Sequence, residues 1–576
     1  MIRAYLVRSA MCGICSNTAK AHFLRIANRY NLPILEYTHS GFYVSLAGEV
    51  NGCEIETNGE TLIIQIYQGD EIGHDRFLKI FIGNNKLTIE NDYAGSIPCF
   101  YSSKNGFVAS NIEPCVYLAS GTTLDDVSPE NVFGYLKYSH FIWDETAWKH
   151  IYQTLPDSRY IFAADGQLAS SEYLETVKAT TSRVTLSDKD VAGQLFDLNC
   201  SLVKRSLSKA DDIILPLSSG YDSRMIFAVL ANEPSFAKKL RCYTYGSEGS
   251  IEVEGGRRLT HLKNIYWKHI ELPCNFLQRR YLNEISDIFG ASLHMHGMYQ
   301  LEFYEQIKSI DGIPQNSVLT SGFMTGVPAG QHNGLLQIEN TGAVLVQAMN
   351  RFSQSKVWSD GDLKLRPLFA NNDYLEIAES RFRAAFDRFN GEVFQKAVIF
   401  DVWTRQRNFI SYYPRTLEWV TTVISPHMNA EYANYFMSLS RSHLWDRKAV
   451  ELMFLHHYPD ISCIASNSNG LAAIGSSFET ALFFVSKILS RLRIADVLPK
   501  QYRNTAFDFD TQAVVNAEHE AFYPLLSGEE KLRDFIENMG GEAFFLDCYE
   551  RARTGDTKAY AQIVTIQSLA LNGLLI

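Results

Sequence analysis

The chain has no long apolar run, no surplus of basic residues and no cysteine framework, and each absence removes a class of function. No uninterrupted apolar stretch reaches membrane-spanning length, so no transmembrane segment is expected. Lys and Arg number 53 against 64 Asp and Glu, a formal net charge of −11. A general nucleic-acid binder needs a basic face to displace counterions, so nucleic acid is not an expected partner. Met1 to Lys20 mixes Arg3, Arg8 and polar residues with short apolar pieces and offers no signal-peptide core, which leads us to expect a cytoplasmic protein. The 10 cysteines are scattered, as suits reduced thiols. Their one close pair, Cys12 and Cys15, has no second pair to complete a zinc site and reads as incidental. Also missing are a Gly-Lys-Ser/Thr phosphate loop and a Gly-x-Gly-x-x-Gly dinucleotide turn. No internal repeat or low-complexity segment is visible.

What is present is ordinary soluble composition over 576 residues, with 46% hydrophobic and 20% charged residues. That length leads us to expect two or more domains. Residues 213–224 carry the most chemistry. They read Ile-Ile-Leu-Pro-Leu-Ser-Ser-Gly-Tyr-Asp-Ser-Arg, an apolar strand running into a tight turn and then a helix. Such a turn can seat phosphates. Gly220 lets the backbone approach an anion, and the hydroxyls of Ser218 and Ser223 join the free N–H groups at a helix start as donors. The Asp222 carboxylate suits Mg²⁺ held against those phosphates.

The rest of the chain frames this turn. Residues 41–118 alternate apolar and polar residues in short runs, as in Thr61–Tyr67, Phe77–Gly83 and Lys86–Asn91, and read as β-structure. Ser128-Pro129 opens a helix. The polar stretch Lys178–Leu186 reads as a linker, and Ser187 caps a helix that runs to about Lys209. We therefore expect domains at 1–185 and 186–576. In the second, strands at 213–217, 240–245, 265–272 and 317–322 alternate with helices at 223–231 and 251–263, the pattern of a parallel sheet covered by helices. Ligands of such sheets bind beyond the carboxyl ends of the strands. From about residue 370 the pattern is mainly helical.

The turn Ser218-Ser219-Gly220-Tyr221-Asp222-Ser223 resembles Ser-Gly-Gly-x-Asp-Ser, the signature of the PP-loop ATP pyrophosphatases, with Ser219 in place of the first glycine. Over residues 187–470 the chain resembles the asparagine synthetase class B family more widely. Leu217 to Ser223 matches its pyrophosphate turn, Tyr245-Gly246 the strand end that contacts adenine, and Val318 to Gly322 a later strand end lining the nucleotide pocket. Pro426 is the one residue shared with the family's Val-Pro-Phe-Leu-Asp stretch. In the first domain, Asn91–Tyr101 followed by Gly106–Ser110 resembles the family's Asp-x-x-Gly-x-x-Pro-Leu-Tyr hairpin, and Glu145–Tyr173 its domain exit.

The resemblance implies a fold of mixed α/β and α+β class. An Ntn-hydrolase-like, β-rich sandwich would precede a Rossmann-like parallel-sheet synthetase domain with a helical C-terminal part. It also implies ATP and Mg²⁺ as ligands, with the nucleotide held by Leu217, Ser218, Ser219, Gly220, Asp222, Ser223, Tyr245, Ser321 and Gly322. Mg²⁺ would sit on Asp222, and Asp222 and Ser223 would carry the catalysis. The implied reaction adenylates a small-molecule carboxylate and transfers to it an amine, ammonia or the nitrogen of glutamine. A homodimer is a further expectation.

Several family features are absent. The glutaminase nucleophile of the family is an N-terminal cysteine acting with its own α-amine, whereas 11 residues precede Cys12. The first domain is therefore expected not to hydrolyse glutamine. After Ser321-Gly322 the family has an acidic loop that helps hold Mg²⁺; this chain has Phe323-Met324-Thr325-Gly326. Ser466–Gly470 occupies the place of a family lysine. Arg405, Arg407, Arg447 and Lys448, with His332 beside the altered loop, are the candidate substitute cations, although each reads first as a solvated or capping side chain. An apolar segment, Thr480 to Arg493, carries Lys487, Arg491 and Arg493 and reads as a helix packed across its own domain. Two readings remain: an amide-forming ligase, and a catalytically silent subunit that binds nucleotide or a partner. A tRNA-modifying PP-loop enzyme is disfavoured by the acidic charge and the single Cys pair.

Overall fold

Period-two alternation in the first third of the chain builds two antiparallel sheets. The computed structural model describes residues 2–9, 15–49, 53–67, 76–138, 140–179, 186–246, 248–272, 279–290, 296–314, 317–331, 373–464 and 550–551. Its first strands are β1 (Ile2–Ser9), β2 (Ile34–His39), β3 (Phe42–Gly48), β4 (Cys53–Thr57), β5 (Thr61–Tyr67) and β6 (Phe77–Gly83). They are followed by β7 (Lys86–Asn91), β8 (Phe100–Ser102), β9 (Val108–Ser110), β10 (Tyr152–Gln153), β11 (Ser158–Ala163) and β12 (Leu168–Tyr173). One sheet runs β10-β8-β9-β1-β3-β2 and the other β12-β11-β7-β6-β5-β4.

The alternation decides which faces meet. In β5, Leu62, Ile64 and Ile66 are buried while their neighbours are less so. They join Ile80 and Ile89 of the same sheet, and Val7, Val44 and Leu46 of the other, in one apolar layer. Strand β1 is buried on both faces, because its even-numbered Ala4 and Leu6 turn the other way, onto Phe23 and Ile26 of α1 (Cys15–Arg29) and Val116 of α2 (Glu113–Ser120). Two sheets packed together were expected; α1, α2 and the strands β1 and β2 before residue 41 were not. Helix α3 (Pro129–Tyr138) begins at the proline that the sequence marks.

After residue 186 the pattern changes to alternating strand and helix. Ser187 caps α4 (Asp188–Leu207), its Oγ accepting from the Asp190 N–H at 3.2 Å. The order is then β13 (Asp212–Pro216), α5 (Tyr221–Asn232), α6 (Pro234–Ala237), β14 (Leu240–Tyr245), α7 (Ile251–Lys263) and β15 (Tyr266–Ile270). Helices α8 (Arg279–Phe289) and α9 (His296–Asp311) lead to β16 (Ser317–Thr320). Helices α10 (Asp373–Asp387) and α11 (Val393–Asp401), a π-helical stretch Val402–Ile410 and α12 (Tyr412–Leu417) precede β17 (Thr422–Ile424). Helix α13 (Ala430–Met437), α14 (Arg441–Leu444) and α15 (Lys448–His457) follow.

The five strands form a parallel sheet in the order β15-β14-β13-β16-β17. Ile213, Ile214 and Leu215 of central β13 are wholly buried, as befits a strand covered on both faces. Strand β17 lies in a region whose sequence reads as helical. The chain moves outward from β13 through β14 to β15, then returns to β13's other side with β16. The reversal opens a crevice between the carboxyl ends of β13 and β16. The segment Thr480–Arg493, residues 466–470, His332 and Cys12 lie outside the described residues. No helix among the described residues is long and apolar enough to cross a membrane.

Candidate functional site

The carboxyl end of β13 is drawn out by hydrogen bonds to its neighbour before the chain turns. Leu217 N–H donates to the Tyr243 carbonyl at 2.8 Å, and Thr244 Oγ1 donates to the Leu217 carbonyl at 2.6 Å. The turn then closes on itself. Ser218 N–H donates to Ser223 Oγ at 3.0 Å, the two serine hydroxyls stand 3.2 Å apart, and Gly220 N–H donates to Ser218 Oγ at 3.1 Å. Helix α5 starts at once, and its first residue is preceded by Gly220, which has no side chain to cap it.

Ser219, which stands where the resembled motif has glycine, turns into the protein. It is wholly buried, and both its N–H (2.7 Å) and its Oγ (2.9 Å) donate to Oε2 of Glu252 on α7. The room for this side chain comes from Gly255, one turn on in α7: a Cβ there would lie 2.5 Å from Ser219 Cβ. Arg224 braces the same residue from the other side, its Nη2 donating to the Ser219 carbonyl at 2.6 Å. Complete burial pulls the Arg224 guanidinium down to about 10.

Across the crevice, the segment after β16 packs directly on the turn. A Cβ on Gly322 would fall 2.8 Å from both the Asp222 carbonyl carbon and the Ser223 nitrogen. Glycine is required here by close approach of two backbones. Ser321 N–H donates to the Ile424 carbonyl at 2.8 Å, which ties this segment to the end of β17. Further along, a Cβ on Gly326 would stand 2.6 Å from Asp222 Oδ1. The loop therefore reaches Asp222, and meets it with a glycine instead of a carboxylate.

A buried histidine holds this loop in place. His427 follows Pro426 beyond β17; its ring nitrogens lie 2.7 Å from Thr325 Oγ1 and 2.7 Å from Asn199 Oδ1 of α4. Tyr432 Oη donates to the Thr325 carbonyl at 2.8 Å. Complete burial pulls the His427 imidazole down to about 3. The neutral ring accepts from the Thr325 hydroxyl and donates to Asn199.

These elements enclose a cavity of about 370 Å³, within the usual range of small-ligand pockets. Leu217, Ser218, Asp222, Ser223, Tyr245, Ser321 and Gly322, seven of the nine residues proposed from sequence as nucleotide contacts, line it. Ser219 and Gly220 are not among its lining residues; they support it from behind. Sequence reasoning missed Thr244, Glu252, Gln300 and Phe323, and the wall formed by Ile410, Tyr413, Pro414 and Leu417. Glu252 and Gln300 carry no local signal, since each reads as one more polar residue on a helix. A scan of protein-family models finds no match to this chain, and a search of curated proteins finds none either.

The cations named from sequence serve other places. Arg407 is wholly buried, is pulled down to about 9, and donates to the Thr154 carbonyl. Arg405 lies over the Phe409 ring at 5.5 Å and Arg447 over the Tyr221 ring at 5.2 Å. Lys448 pairs with Asp188 at 3.4 Å. No Lys or Arg is among the described residues that line the cavity. Asp222 and Glu252 are the carboxylates among them, and the described residues hold no cluster of three or more potential metal ligands. The described residues thus do not by themselves cage a resident ion. One carboxylate beside a turn of donors fits Mg²⁺ that arrives on a nucleotide, because that ion keeps several waters and takes most other ligands from phosphates.

Proposed function

We propose that the protein is an ATP-dependent, AMP-forming ligase that joins a carboxylate to an amine or to ammonia. One observation carries the reading: the phosphate-type turn, the strand end at Tyr245 and the Ser321-Gly322 segment meet in a single cavity at the reversal point of a parallel sheet. A nucleotide's phosphates would lie along Ser218, Ser223 and the start of α5, with Asp222 holding Mg²⁺. The ion would supply charge neutralisation. The chain's own part is to fix donors where charge develops on the phosphates, the usual large term in such chemistry. In the reaction a carboxylate oxygen displaces pyrophosphate from the α-phosphorus, and the amine then displaces AMP from the acyl carbon.

A second reading has its own support. Gly326 stands where a loop carboxylate would face Asp222, and no described cation lines the cavity. Both features favour a nucleotide-binding subunit without turnover. Incubating the purified full chain with ATP, Mg²⁺, ammonia and a panel of carboxylic acids, and measuring AMP and pyrophosphate, separates the two. Acid-dependent release of both products supports the ligase. ATP binding with no release at high ammonia favours the silent subunit, and no affinity for any adenosine phosphate removes both readings.

A further inference from the structure

Beyond the phosphate turn, the cavity lining is largely aromatic and aliphatic, with one primary amide in it. Gln300, on α9, is 5% exposed and lines the cavity beside Tyr245, Tyr413, Leu319 and Leu417. Its Nε2 donates to the Tyr245 hydroxyl at a long 3.4 Å. A primary amide offers two N–H donors and a carbonyl that accepts twice, and this bond engages one of the donors. Tyr245 is itself fixed from behind, edge-on to Phe303 at 4.8 Å between ring centroids. Burial raises its hydroxyl to about 12, so that group stays a neutral donor and acceptor.

A primary amide both donates and accepts, so a phosphate or a carboxylate, which only accepts, would leave its carbonyl unmatched. The amide is a good partner for the edge of a flat heterocycle. Glutamine pairs with adenine in two bonds: its carbonyl accepts from the exocyclic amine, and its N–H donates to the neighbouring ring nitrogen. We propose that Gln300 reads the 6-amino edge of an adenine ring and sets the base preference of this site. The inference rests on the nucleotide reading given above and adds the residue that selects the base.

The test is calorimetric binding of ATP and of purine riboside triphosphate, which lacks the 6-amino group, to the full chain with Mg²⁺. The native protein is expected to favour ATP by about tenfold or more, the usual worth of a two-bond base contact. Gln300→Leu is expected to bind both ligands alike, at about the affinity the native chain shows for the analogue. Gln300→Met, closer in volume, repeats the measurement should the leucine variant fail to fold. An unchanged preference in a folded variant overturns the proposal, as does an equal loss for both ligands. A native chain that binds neither nucleotide overturns the nucleotide reading as well, so the two failures are told apart.

Discussion

Asp222 and Ser219 show how two residues of one turn can have opposite duties. Asp222 lines the cavity, whereas Ser219 is wholly buried and bonded to Glu252. Under the ligase reading, Asp222→Asn is expected to abolish pyrophosphate release while the chain keeps a single cooperative thermal transition; a variant that still turns over removes the ion-holding role. At Ser219 the expectation concerns packing. Gly255→Ala would push a methyl to 2.5 Å from Ser219 Cβ, an overpacking that costs about 1–3 kcal/mol. Ser219→Gly in the same chain removes the struck atom, so the double variant should be more stable than the sum of the single effects by at least about 0.5 kcal/mol. Strict additivity in chemical unfolding would show that α7 does not approach the turn this closely.

At the scale of elements, the wall of the site depends on a loop that His427 pins to α4. The neutral ring also ties stability to pH. Its pKa, about 3 when folded, lies below the ordinary 6.5, so between these values the unfolded chain binds a proton that the folded one refuses. Stability contributed at neutral pH is therefore lost as pH falls below 6.5, by up to about 1.4 kcal/mol per pH unit. His427→Gln keeps a donor and an acceptor without the titration. Its urea-unfolding free energy should fall less than the native chain's between pH 6.5 and 4.5, and parallel curves would contradict the buried neutral ring.

The same elements show what the sequence made legible. The apolar run before Ser218 appears as β13, the strand read at 240–245 and the helix read at 251–263 occupy those residues, and the proline at 129 opens α3. Each has a local cause: continuous apolar residues, a cap, or a fixed φ. Strand β17 has no such cause, because three residues are too few to show a period. Strand β1 hid for the opposite reason: buried on both faces, it shows no alternation. The far wall of the cavity escaped as well, since Ile410, Tyr413 and Leu417 look like core until the sheet brings Tyr245 to them.

At the scale of the whole molecule, one apolar cluster is shared by the two halves of the chain. Phe23, Val116, Phe133 and Trp148 pack with Phe382, Phe400, Tyr412 and Trp419. Buried polar groups of the π-helical stretch complete the joint: Trp403 Nε1 donates to the Tyr93 carbonyl at 2.8 Å, and Asn408 Nδ2 to the Phe141 carbonyl at 2.6 Å. This stretch ends at Ile410, in the wall of the cavity. Without the first 185 residues those donors lose their acceptors, and the aromatic side chains of the shared cluster meet water, at about 1.5–3 kcal/mol for each side chain left exposed. Several such losses together exceed the net stability of an ordinary domain. A chain of residues 186–576 alone is therefore expected to bind a hydrophobic dye and to unfold without a cooperative transition, and co-expression with residues 1–185 should restore both properties. A shortened chain that is monomeric and melts at the temperature of the full one would mean that the shared cluster adds nothing to the folding of the sheet that carries the site.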